Sequence, residues 1–380
     1  MKALLPPAVI GIIGGGQLGM MTIREAQRMG YRTVVWDPNP ECPASRLADE
    51  VIAAPFNDMN AATIFGDNVD VATYEFENID GAAVEKVERS VPVYPGSKVL
   101  KIAQHRRDEK AELVKRGFPV VPHRAAGNKQ EVSRACSELG FPVVVKTTTS
   151  GYDGKGQTVL NSSEQAKGFL EKLGEEPREY VVEKFLDLQC ELSCLVARNS
   201  KGTVAVFPIA ENMHRNNILH RTIVPARVSD IVLSQAREFG RKIIESFQLV
   251  GVLCVEMFVT KDGSLLVNEL APRPHNSGHY SLDACSYSQF EALVRTVCGL
   301  PIPDPELLAP CGMVNLLGKH LERLDVVTLS GWSGAKLHLY GKKKSEPNRK
   351  MGHITIVGGS VQDVDAKIVM VERMIGEDRG

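Results

Sequence analysis

The stretch VEMFVTKDGSLLVNEL, residues 255–270, consists of two apolar strands joined by a turn. Asp262-Gly263 is the strongest short signal for a two-residue hairpin, and this turn sets the register of the two strands. In that register Glu256 faces Glu269, with about 5 Å between their Cβ atoms. Two carboxylates so close repel each other. The sequence therefore predicts a shared proton, a basic neighbour or a bound cation at this place.

A divalent cation is the remedy that the neighbouring residues favour. Three apolar residues share the strand face of Glu256: Val252, Cys254 and Phe258. This surrounding argues against the alternative of two glutamates paired with lysines on a solvated face. Oxygen ligands suit Mg²⁺, which accepts one or two carboxylates and completes its shell with water and phosphates. Asn268 can add an amide oxygen, so the candidate metal ligands are Glu256, Asn268 and Glu269.

The residues after the second strand are polar where the chain leaves the predicted core. The stretch APRPHNSGHYS, residues 271–281, contains Arg273, His275 and Asn276 within four positions. Loops at the ends of core strands often carry binding and catalytic side chains. A lone histidine is usually structural, but a polar group of this density favours a functional site. The pattern therefore favours a functional role for Arg273, His275 and Asn276.

Length and composition limit the class of protein. The 380 residues, 43% hydrophobic and 24% charged, are enough for two or three domains. A net charge of −1 and a pI of about 6.8 predict no general attraction to nucleic acid or to an anionic membrane. No apolar run approaches the roughly 18 residues that span a bilayer, and two early prolines favour a first strand over a signal sequence. We expect a cytoplasmic protein.

The eight cysteines are scattered, with no CxxC pair among them. This spacing predicts free thiols in a reducing compartment, most of them serving as small apolar residues. The absence of CxxC and zinc-knuckle spacing argues against structural zinc.

The order of strand-like and helix-like stretches divides the chain into three parts. Residues 9–95 alternate strands with helices, which predicts a parallel sheet covered by helices. Residues 107–185 form a smaller part with a glycine-rich loop and can move as a lid. From residue 187 the strands are longer. The predicted fold class is α/β, and the predicted domains are 1–106, 107–186 and 187–380.

A glycine turn lies between the first predicted strand and the first helix. IIGGGQLGMM, residues 12–21, has Gly14, Gly16 and Gly19 at GxGxxG spacing, and Asp37 ends the next strand. Taken alone, this pattern predicts a dinucleotide such as NAD. The bare amides of a helix N-terminus bind any phosphate or carboxylate, however. The glycines can also simply allow the strand and the helix to pack closely.

A second glycine-rich loop follows a buried strand in the middle part. FPVVVKTTTSGYDGKGQTVL, residues 141–160, has Lys146 at the strand end and several glycines after it. A lysine and loop amides can approach phosphate oxygens. The loop is no Walker A loop, because no GK[ST] opens a helix, and a loose hairpin connection is the alternative. Further on, the link within residues 180–193 offers backbone groups to a flat base, and Glu191 offers a carboxylate to a ribose.

Together these stretches resemble the ATP-grasp ligases and, more narrowly, the N5-carboxyaminoimidazole ribonucleotide synthetases of purine biosynthesis. The resemblance covers nearly the whole chain through GIIGGGQLGMM, TYEFEN, VVKTTTSGYDGKGQ, ENMHRNNIL, NELAPRPHNSGHYS and RKMGH. GYDGKGQ and NELAPRPHNSGH are far more specific than the GxGxxG spacing. The resemblance implies a Rossmann-like first domain, a small ATP-grasp lid and a larger ATP-grasp catalytic domain.

This resemblance implies that ATP, bicarbonate and 5-aminoimidazole ribonucleotide react through carboxyphosphate to N5-carboxyaminoimidazole ribonucleotide, ADP and phosphate. It also implies one or two Mg²⁺ ions, a homodimer, and a ribonucleotide instead of NAD at the first glycine turn. Three alternatives remain open. They are a ligase acting on glycinamide ribonucleotide and formate, an NAD-dependent oxidoreductase, and a nucleotide-binding module without turnover.

The resemblance assigns roles to residues by position. The implied ATP-binding residues are Arg106, Lys146, Gly151, Tyr152, Asp153, Gly154, Lys155, Gly156, Gln157, Glu183, Lys184, Phe185, Leu186, Glu191, His214, Asn268 and Glu269. The implied ribonucleotide contacts are Gln17, Glu75, Tyr152, Lys342, Arg349 and Lys350. Arg273, His275 and Asn276 would hold bicarbonate and carboxyphosphate. His275 or Asp153 would accept the proton of the amine.

Four residues depart from the family pattern. Glu346 and Asn348 stand where arginine and glycine are frequent, which leaves the details of the phosphate contact open. The basic residues around them also fit a solvated surface loop. Ser150 replaces a glycine and His105 an aspartate, and both changes are milder.

Overall fold

The computed structural model describes residues 2–149, 156–173 and 178–377. Five residues with an expected role lie outside this part of the chain: Gly151, Tyr152, Asp153, Gly154 and Lys155. None of the described helices is both long and apolar enough to span a membrane.

The first part of the chain forms a four-stranded parallel sheet with strand order β3-β2-β1-β4. Its strands are β1 (Val9–Ile13), β2 (Arg32–Trp36), β3 (Glu50–Ile52) and β4 (Val71–Tyr74). Its helices are α1 (Gln17–Arg28), α2 (Met59–Asp67), α3 (Gly81–Glu88) and α4 (Ser97–Ala103). β1 and β4 are almost fully buried, as expected for parallel strands covered on both faces. The predicted alternating α/β pattern is confirmed.

The middle part forms an antiparallel sheet with strand order β5-β8-β6-β7. Its elements are α5 (Arg106–Lys115), β5 (His123–Ala126), α6 (Lys129–Leu139), β6 (Val143–Thr147), β7 (Gln157–Leu160), α7 (Ser163–Lys172) and β8 (Tyr180–Lys184). A small separate core fills the space between this sheet and α6 and includes Val132, Val143 and Val182. The glycine-rich loop connects β6 to β7 and therefore leaves from the end of the strand that carries Lys146.

The last part is built on a large sheet with strand order β14-β13-β9-β11-β12-β15-β17-β16, and β10 pairs with β9. Its strands are β9 (Leu188–Arg198), β10 (Val204–Val206), β11 (Ala210–Arg215), β12 (Ile218–Val224), β13 (Gly251–Thr260), β14 (Leu265–Ala271), β15 (Cys311–Leu317), β16 (Ala335–Leu339) and β17 (Lys350–Val357). Its helices are α8 (Asp230–Ser246), α9 (Ser281–Ala284), α10 (Gln289–Val297), α11 (Val326–Ser330) and α12 (Val361–Met374).

Helices α1 and α10 pack the first sheet against the large sheet. Met21 and Ile23 of α1 belong to the same buried cluster as Phe290 and Leu293 of α10 and Cys254 of β13. Burial of the apolar side chains of this cluster is the main force that holds the two sheets together. As a result, the carboxyl ends of β1 and β4 lie beside the end of β14.

The hairpin of β13 and β14 differs from the predicted one in its turn. The N–H of Thr260 donates to the carbonyl of Ser264 at 3.0 Å, and Gly263 has φ +84°. The loop therefore has three residues with a glycine in the left-handed region, a common hairpin type, and the predicted two-residue turn is wrong. A β-bulge between Glu256 and Met257 adds one residue to β14 and restores the register. Glu256 faces Glu269 as predicted, because the two deviations cancel.

Candidate active site

A cleft at the ends of β4, β6 and β14 contains two adjoining cavities. Their volumes are about 380 and 220 Å³. Five residues line both cavities: Arg106, Glu269, His275, Asn276 and Lys350. The larger cavity extends to Gln17 and Glu75 of the first sheet, and the smaller extends to Lys146 of the middle part. Two ligands could thus meet at the shared wall.

The facing carboxylates of the hairpin lie at this wall and have different surroundings. Glu269 Oε2 accepts from Arg106 Nη1 at 2.8 Å, and Glu256 Oε1 lies 3.2 Å from His275 Nε2. Burial and the nearby charge of Glu269 raise the pKa of Glu256. Burial opposes ionisation of Glu269 too, but the charges of Arg106 and Lys146 hold the pKa of Glu269 below its ordinary value. Glu269 is thus the ionised carboxylate of the pair, and a bound cation would favour ionisation of Glu256.

The bulge of β14 supplies a third oxygen to the same place. Asn268 is the residue inserted between Val267 and Glu269, and it lines the smaller cavity with Glu256 and Glu269. Its Oδ1 is buried and has no hydrogen-bond partner among the described residues. Bulges beside active sites commonly turn a side chain in this way. Two carboxylates and an unpaired amide oxygen fit the ligand preference of Mg²⁺.

Two buried lysines share one glutamate behind the smaller cavity. Lys146 Nζ lies 2.7 Å and Lys110 Nζ 2.9 Å from the two oxygens of Glu183. Burial alone would raise the pKa of Glu183, but the two ammonium groups lower it to about 2. Lys110 also donates to the carbonyl of Asn268 at 3.2 Å. Glu183 therefore holds the predicted phosphate-binding Lys146 through its side chain, whereas no motif in the sequence marks Lys110.

The backbone proposed to read adenine is partly engaged elsewhere. The N–H of Lys184 donates to the carbonyl of Pro122 at 2.9 Å, and the N–H of Phe185 donates to that of Pro142 at 3.1 Å. The Phe185 side chain is exposed, and both Phe185 and Leu186 come after β8, which ends at Lys184. A base bound here would have to use other backbone groups of this stretch.

Glu191 and His214 form a pair at the far end of the smaller cavity. His214 Nδ1 lies 2.7 Å from Glu191 Oε2. Burial favours the neutral imidazole, but the contact with Glu191 raises the pKa of His214. Gln157, the first residue of β7, lines the same cavity. These three predicted nucleotide residues are brought together, although they come from three different strands.

The polar segment after β14 is held in place by side chains that the sequence analysis missed. Arg273 Nε donates to Glu77 Oε2 at 2.7 Å, and both side chains are largely buried. Asn276 exchanges two hydrogen bonds with Asn315 of β15, at 3.0 and 2.6 Å. The position of Glu77 within TYEFEN was a possible signal, but Asn315 is in a stretch without any motif.

His275 is oriented from three sides. The backbone N–H of His275 donates to Gln289 Oε1 at 2.8 Å, and the backbone carbonyl of His275 accepts from Gln289 Nε2 at 2.8 Å. The N–H of Ser277 donates to His275 Nδ1 at 3.3 Å. Burial, followed by the charge of Arg273, lowers the pKa of His275 well below its ordinary value. The ring is therefore neutral, with its proton on Nε2, the nitrogen that faces Glu256.

The glycine turn at the start of α1 binds carboxylates of the chain itself. The N–H groups of Gly16 and Gly19 donate to the two oxygens of Glu75, the latter at 2.7 Å. The N–H of Gly15 donates to Asp37 Oδ2 at 2.8 Å. Burial raises the pKa of Glu75, and these N–H groups oppose that effect. Because Glu75 already accepts from the N–H groups that the pyrophosphate of a dinucleotide would use, the geometry disfavours the NAD alternative.

The basic residues late in the chain are divided between the cleft and the surface. Lys350, at the start of β17, lines both cavities. Lys342 Nζ donates to the carbonyl of Lys350 at 2.8 Å, and its charge is close enough to lower the pKa of Glu75. Arg349 is exposed and donates to the carbonyl of Lys344 at 3.1 Å. The structure thus places Lys350 on the wall of the cleft and Lys342 behind it, whereas Arg349 lines neither cavity.

Comparisons with known proteins agree along the whole chain. Family models match three segments: an ATP-grasp domain at residues 111–290, a ribonucleotide synthetase preATP-grasp domain at 8–104, and a phosphoribosylaminoimidazole carboxylase C-terminal domain at 311–367. The N5-carboxyaminoimidazole ribonucleotide synthase of Bacillus subtilis (strain 168) is 45% identical over 361 residues, which are 94% of this chain and 93% of the relative.

Solved structures show the same similarity. A crystal structure of an N5-carboxyaminoimidazole ribonucleotide synthetase in complex with ADP has a TM-score of 0.95 and 41% identity, and the match covers 100% of both chains. The Aspergillus clavatus synthase in complex with ADP and 5-aminoimidazole ribonucleotide has a TM-score of 0.88 and 30% identity, with coverage of 97% of this chain and 98% of that one. The chain belongs to the N5-carboxyaminoimidazole ribonucleotide synthase family of ATP-grasp ligases.

Proposed function

We propose that the protein carboxylates 5-aminoimidazole ribonucleotide with bicarbonate and ATP, giving N5-carboxyaminoimidazole ribonucleotide, ADP and phosphate. The observation that carries this proposal is the pair of adjoining cavities with a shared wall. The smaller one has the predicted ATP residues, and the larger one has the predicted ribonucleotide residues. A phosphoryl group transferred at the wall would be within reach of both ligands.

In the first step an oxygen of bicarbonate attacks the γ-phosphorus of ATP, and the bond to the β-phosphate oxygen breaks. Carboxyphosphate and ADP result. Lys146 and Arg106 line the smaller cavity and would bind phosphate oxygens as fixed positive charges. Mg²⁺, held by Glu256, Asn268 and Glu269, would supply further neutralisation of the phosphate charge.

In the second step the exocyclic amine attacks the carboxyl carbon, phosphate leaves, and the amine loses a proton. Arg273, His275 and Asn276 line the larger cavity and would hold the carboxyl and phosphate oxygens through donated hydrogen bonds. His275 presents Nε2–H and is a donor, since Nδ1 accepts from Ser277. We therefore assign the proton-acceptor role to Asp153 rather than to His275.

The ribonucleotide would occupy the larger cavity. Gln17 and Glu75 line it from the first sheet, and Lys350 and Lys342 bring positive charge toward a 5′-phosphate from the last part of the chain. Tyr152 would complete the contacts from the glycine-rich loop. Bicarbonate as the carbon source, Mg²⁺ as the metal, a homodimeric state and a cytoplasmic location also belong to this proposal and follow from the family.

Phosphate release measured with and without 5-aminoimidazole ribonucleotide tests the proposal. We expect ATP hydrolysis to depend on both the ribonucleotide and bicarbonate, and label from bicarbonate to enter an acid-labile carbamate. Turnover with glycinamide ribonucleotide and formate instead would support the sister ligase. Tight ATP binding without any ribonucleotide-stimulated phosphate release would indicate a binding module and refute the proposal.

A further inference from the structure

A cluster of imidazoles and one carboxylate lies behind the polar segment that follows β14. His338 of β16 and His353 of β17 are directly opposed in the antiparallel pair. Their rings are stacked, with centroids 4.4 Å apart and planes 9° apart. Asp283 of α9 lies beside them, with Oδ2 2.9 Å from His338 Nε2. None of the three is among the lining residues of the two cavities of the cleft.

His353 has one nitrogen engaged and one nitrogen unpaired. Its Nδ1 lies 2.9 Å from the hydroxyl of Tyr340, which is itself buried. Its Nε2 is fully buried and has no hydrogen-bond partner among the described residues. A buried polar atom without a partner is unfavourable in a folded protein. The contact between His338 and Asp283 leaves His353 Nε2 without a partner among the described residues, and a bound ligand would supply one.

We propose that Asp283, His338 and His353 bind a transition-metal ion of the Zn²⁺ type. One donor atom from each of the three side chains lies within 4.8 Å of the others, and the stacked rings would have to turn for these atoms to meet at one ion. Two imidazoles and one carboxylate are a ligand set that Zn²⁺ accepts, with a fourth position for water. Donation from His353 Nδ1–H to Tyr340 would leave the lone pair of Nε2 for the metal, and such an outer hydrogen bond is usual for metal-binding histidines.

The surroundings give an ion a path to the cluster. His338 and Asp283 keep 23% and 12% of their side-chain surface exposed, which gives an ion access. The nitrogen ligands also separate this site from the oxygen-only set of Glu256, Asn268 and Glu269, which favours Mg²⁺.

An ion at this place would fasten the β16–β17 hairpin to α9. The hairpin carries Lys350 into the cleft, and α9 directly follows the segment with His275 and Asn276. Because the metal would bind the folded protein and not the unfolded chain, it would raise the thermal stability. The proposed role of the ion is to stabilise this part of the fold.

Equilibrium dialysis of the metal-stripped protein against Co²⁺ and Zn²⁺ tests this inference. Excess Mg²⁺ and ADP should be present throughout so that the carboxylate site of the cleft is occupied. We expect one tightly bound ion per chain, a visible Co²⁺ absorption typical of tetrahedral coordination, and a higher Tm with Zn²⁺ than with Mg²⁺ alone. His338→Ala and Asp283→Asn should each weaken Co²⁺ binding by more than about tenfold.

His123→Ala is the matched control, since His123 is also half-buried but lies in β5 of the middle part. It should bind Co²⁺ like the unchanged protein. Circular dichroism without metal would verify that each variant is folded. If the unchanged protein binds no Co²⁺ or Zn²⁺ under these conditions, or if His338→Ala and Asp283→Asn bind as well as His123→Ala, the inference is wrong. Phosphate release by the unchanged protein tests the proposed function separately, so either proposal can fail without the other.

Discussion

Replacing Glu183 with Gln removes the carboxylate that contacts both Lys110 and Lys146. The side chains of Glu183 and Lys110 are each only 3% exposed, and that of Lys146 is 11% exposed. Loss of one partner from a buried ion pair costs about 3–5 kcal/mol, because a buried charge is left without compensation. A depression of the pKa of Glu183 from 4.5 to about 2 gives a similar figure, about 3 kcal/mol at about 1.4 kcal/mol per pH unit.

Urea denaturation followed by circular dichroism measures this loss. Glu179→Gln is the matched control, because Glu179 pairs with Arg107 at the surface and is 46% exposed. The control should lose less than about 1 kcal/mol. The pKa of Glu183 is lower in the folded protein, so its contribution is complete above about pH 4.5 and is lost as the pH falls toward 2. The difference between the variant and the unchanged protein should therefore shrink on acidification. A loss below about 1 kcal/mol at pH 7, or a difference that does not change with pH, would refute the reasoning.

Three further substitutions test the cleft. Glu269→Gln should reduce turnover by more than about 10²-fold with unchanged circular dichroism, because it removes a carboxylate from the proposed Mg²⁺ ligands; near-normal phosphate release would contradict the metal assignment. Lys342→Ala should raise the KM for the ribonucleotide by about tenfold and leave the KM for ATP nearly unchanged; an unaltered ribonucleotide KM would remove Lys342 from the site. Glu77→Gln should lower kcat by about 10²-fold with little effect on the KM for ATP, since Arg273 loses the partner that orients it; a normal kcat would show that Arg273 does not need Glu77.

The facing carboxylates were predictable from the sequence for a partly wrong reason. Asp262-Gly263 correctly indicates a hairpin, but local sequence does not distinguish a two-residue loop from a three-residue loop with glycine last. The bulge at Asn268 depends on how β14 continues into the polar segment, which is tertiary information. The prediction that Glu256 faces Glu269 nevertheless holds, because the bulge at Asn268 offsets the additional residue of the loop.

Contacts between distant parts of the chain were the main part of the site that the sequence did not reveal. Glu75 reaches the glycine turn because β4 pairs with β1 in parallel, although 59 residues separate Glu75 from Gly16. Asn315 and Gln289 support the polar segment from β15 and α10, and no motif marks either residue. Helix α6, by contrast, has a start signal that is visible in the sequence: Asn128 Oδ1 accepts from the backbone N–H of Glu131, and Glu131 Oε1 accepts from Asn128 Nδ2.

The ion pairs of the cleft suggest how it accepts highly charged ligands. Arg106 is paired with Glu269, Lys146 with Glu183, and Arg273 with Glu77. Each cation is thus kept in a low-dielectric place by a carboxylate of the chain, which lowers the cost of burying it. A divalent ion on Glu269 would compete with Arg106 for that carboxylate and make the guanidinium available to a phosphate. Because Lys146 shares Glu183 with Lys110, it can turn toward a phosphate while Glu183 stays neutralised. On binding, these cations would exchange a carboxylate of the chain for an oxygen of the ligand, so each charge would be paired both before and after the ligand arrives.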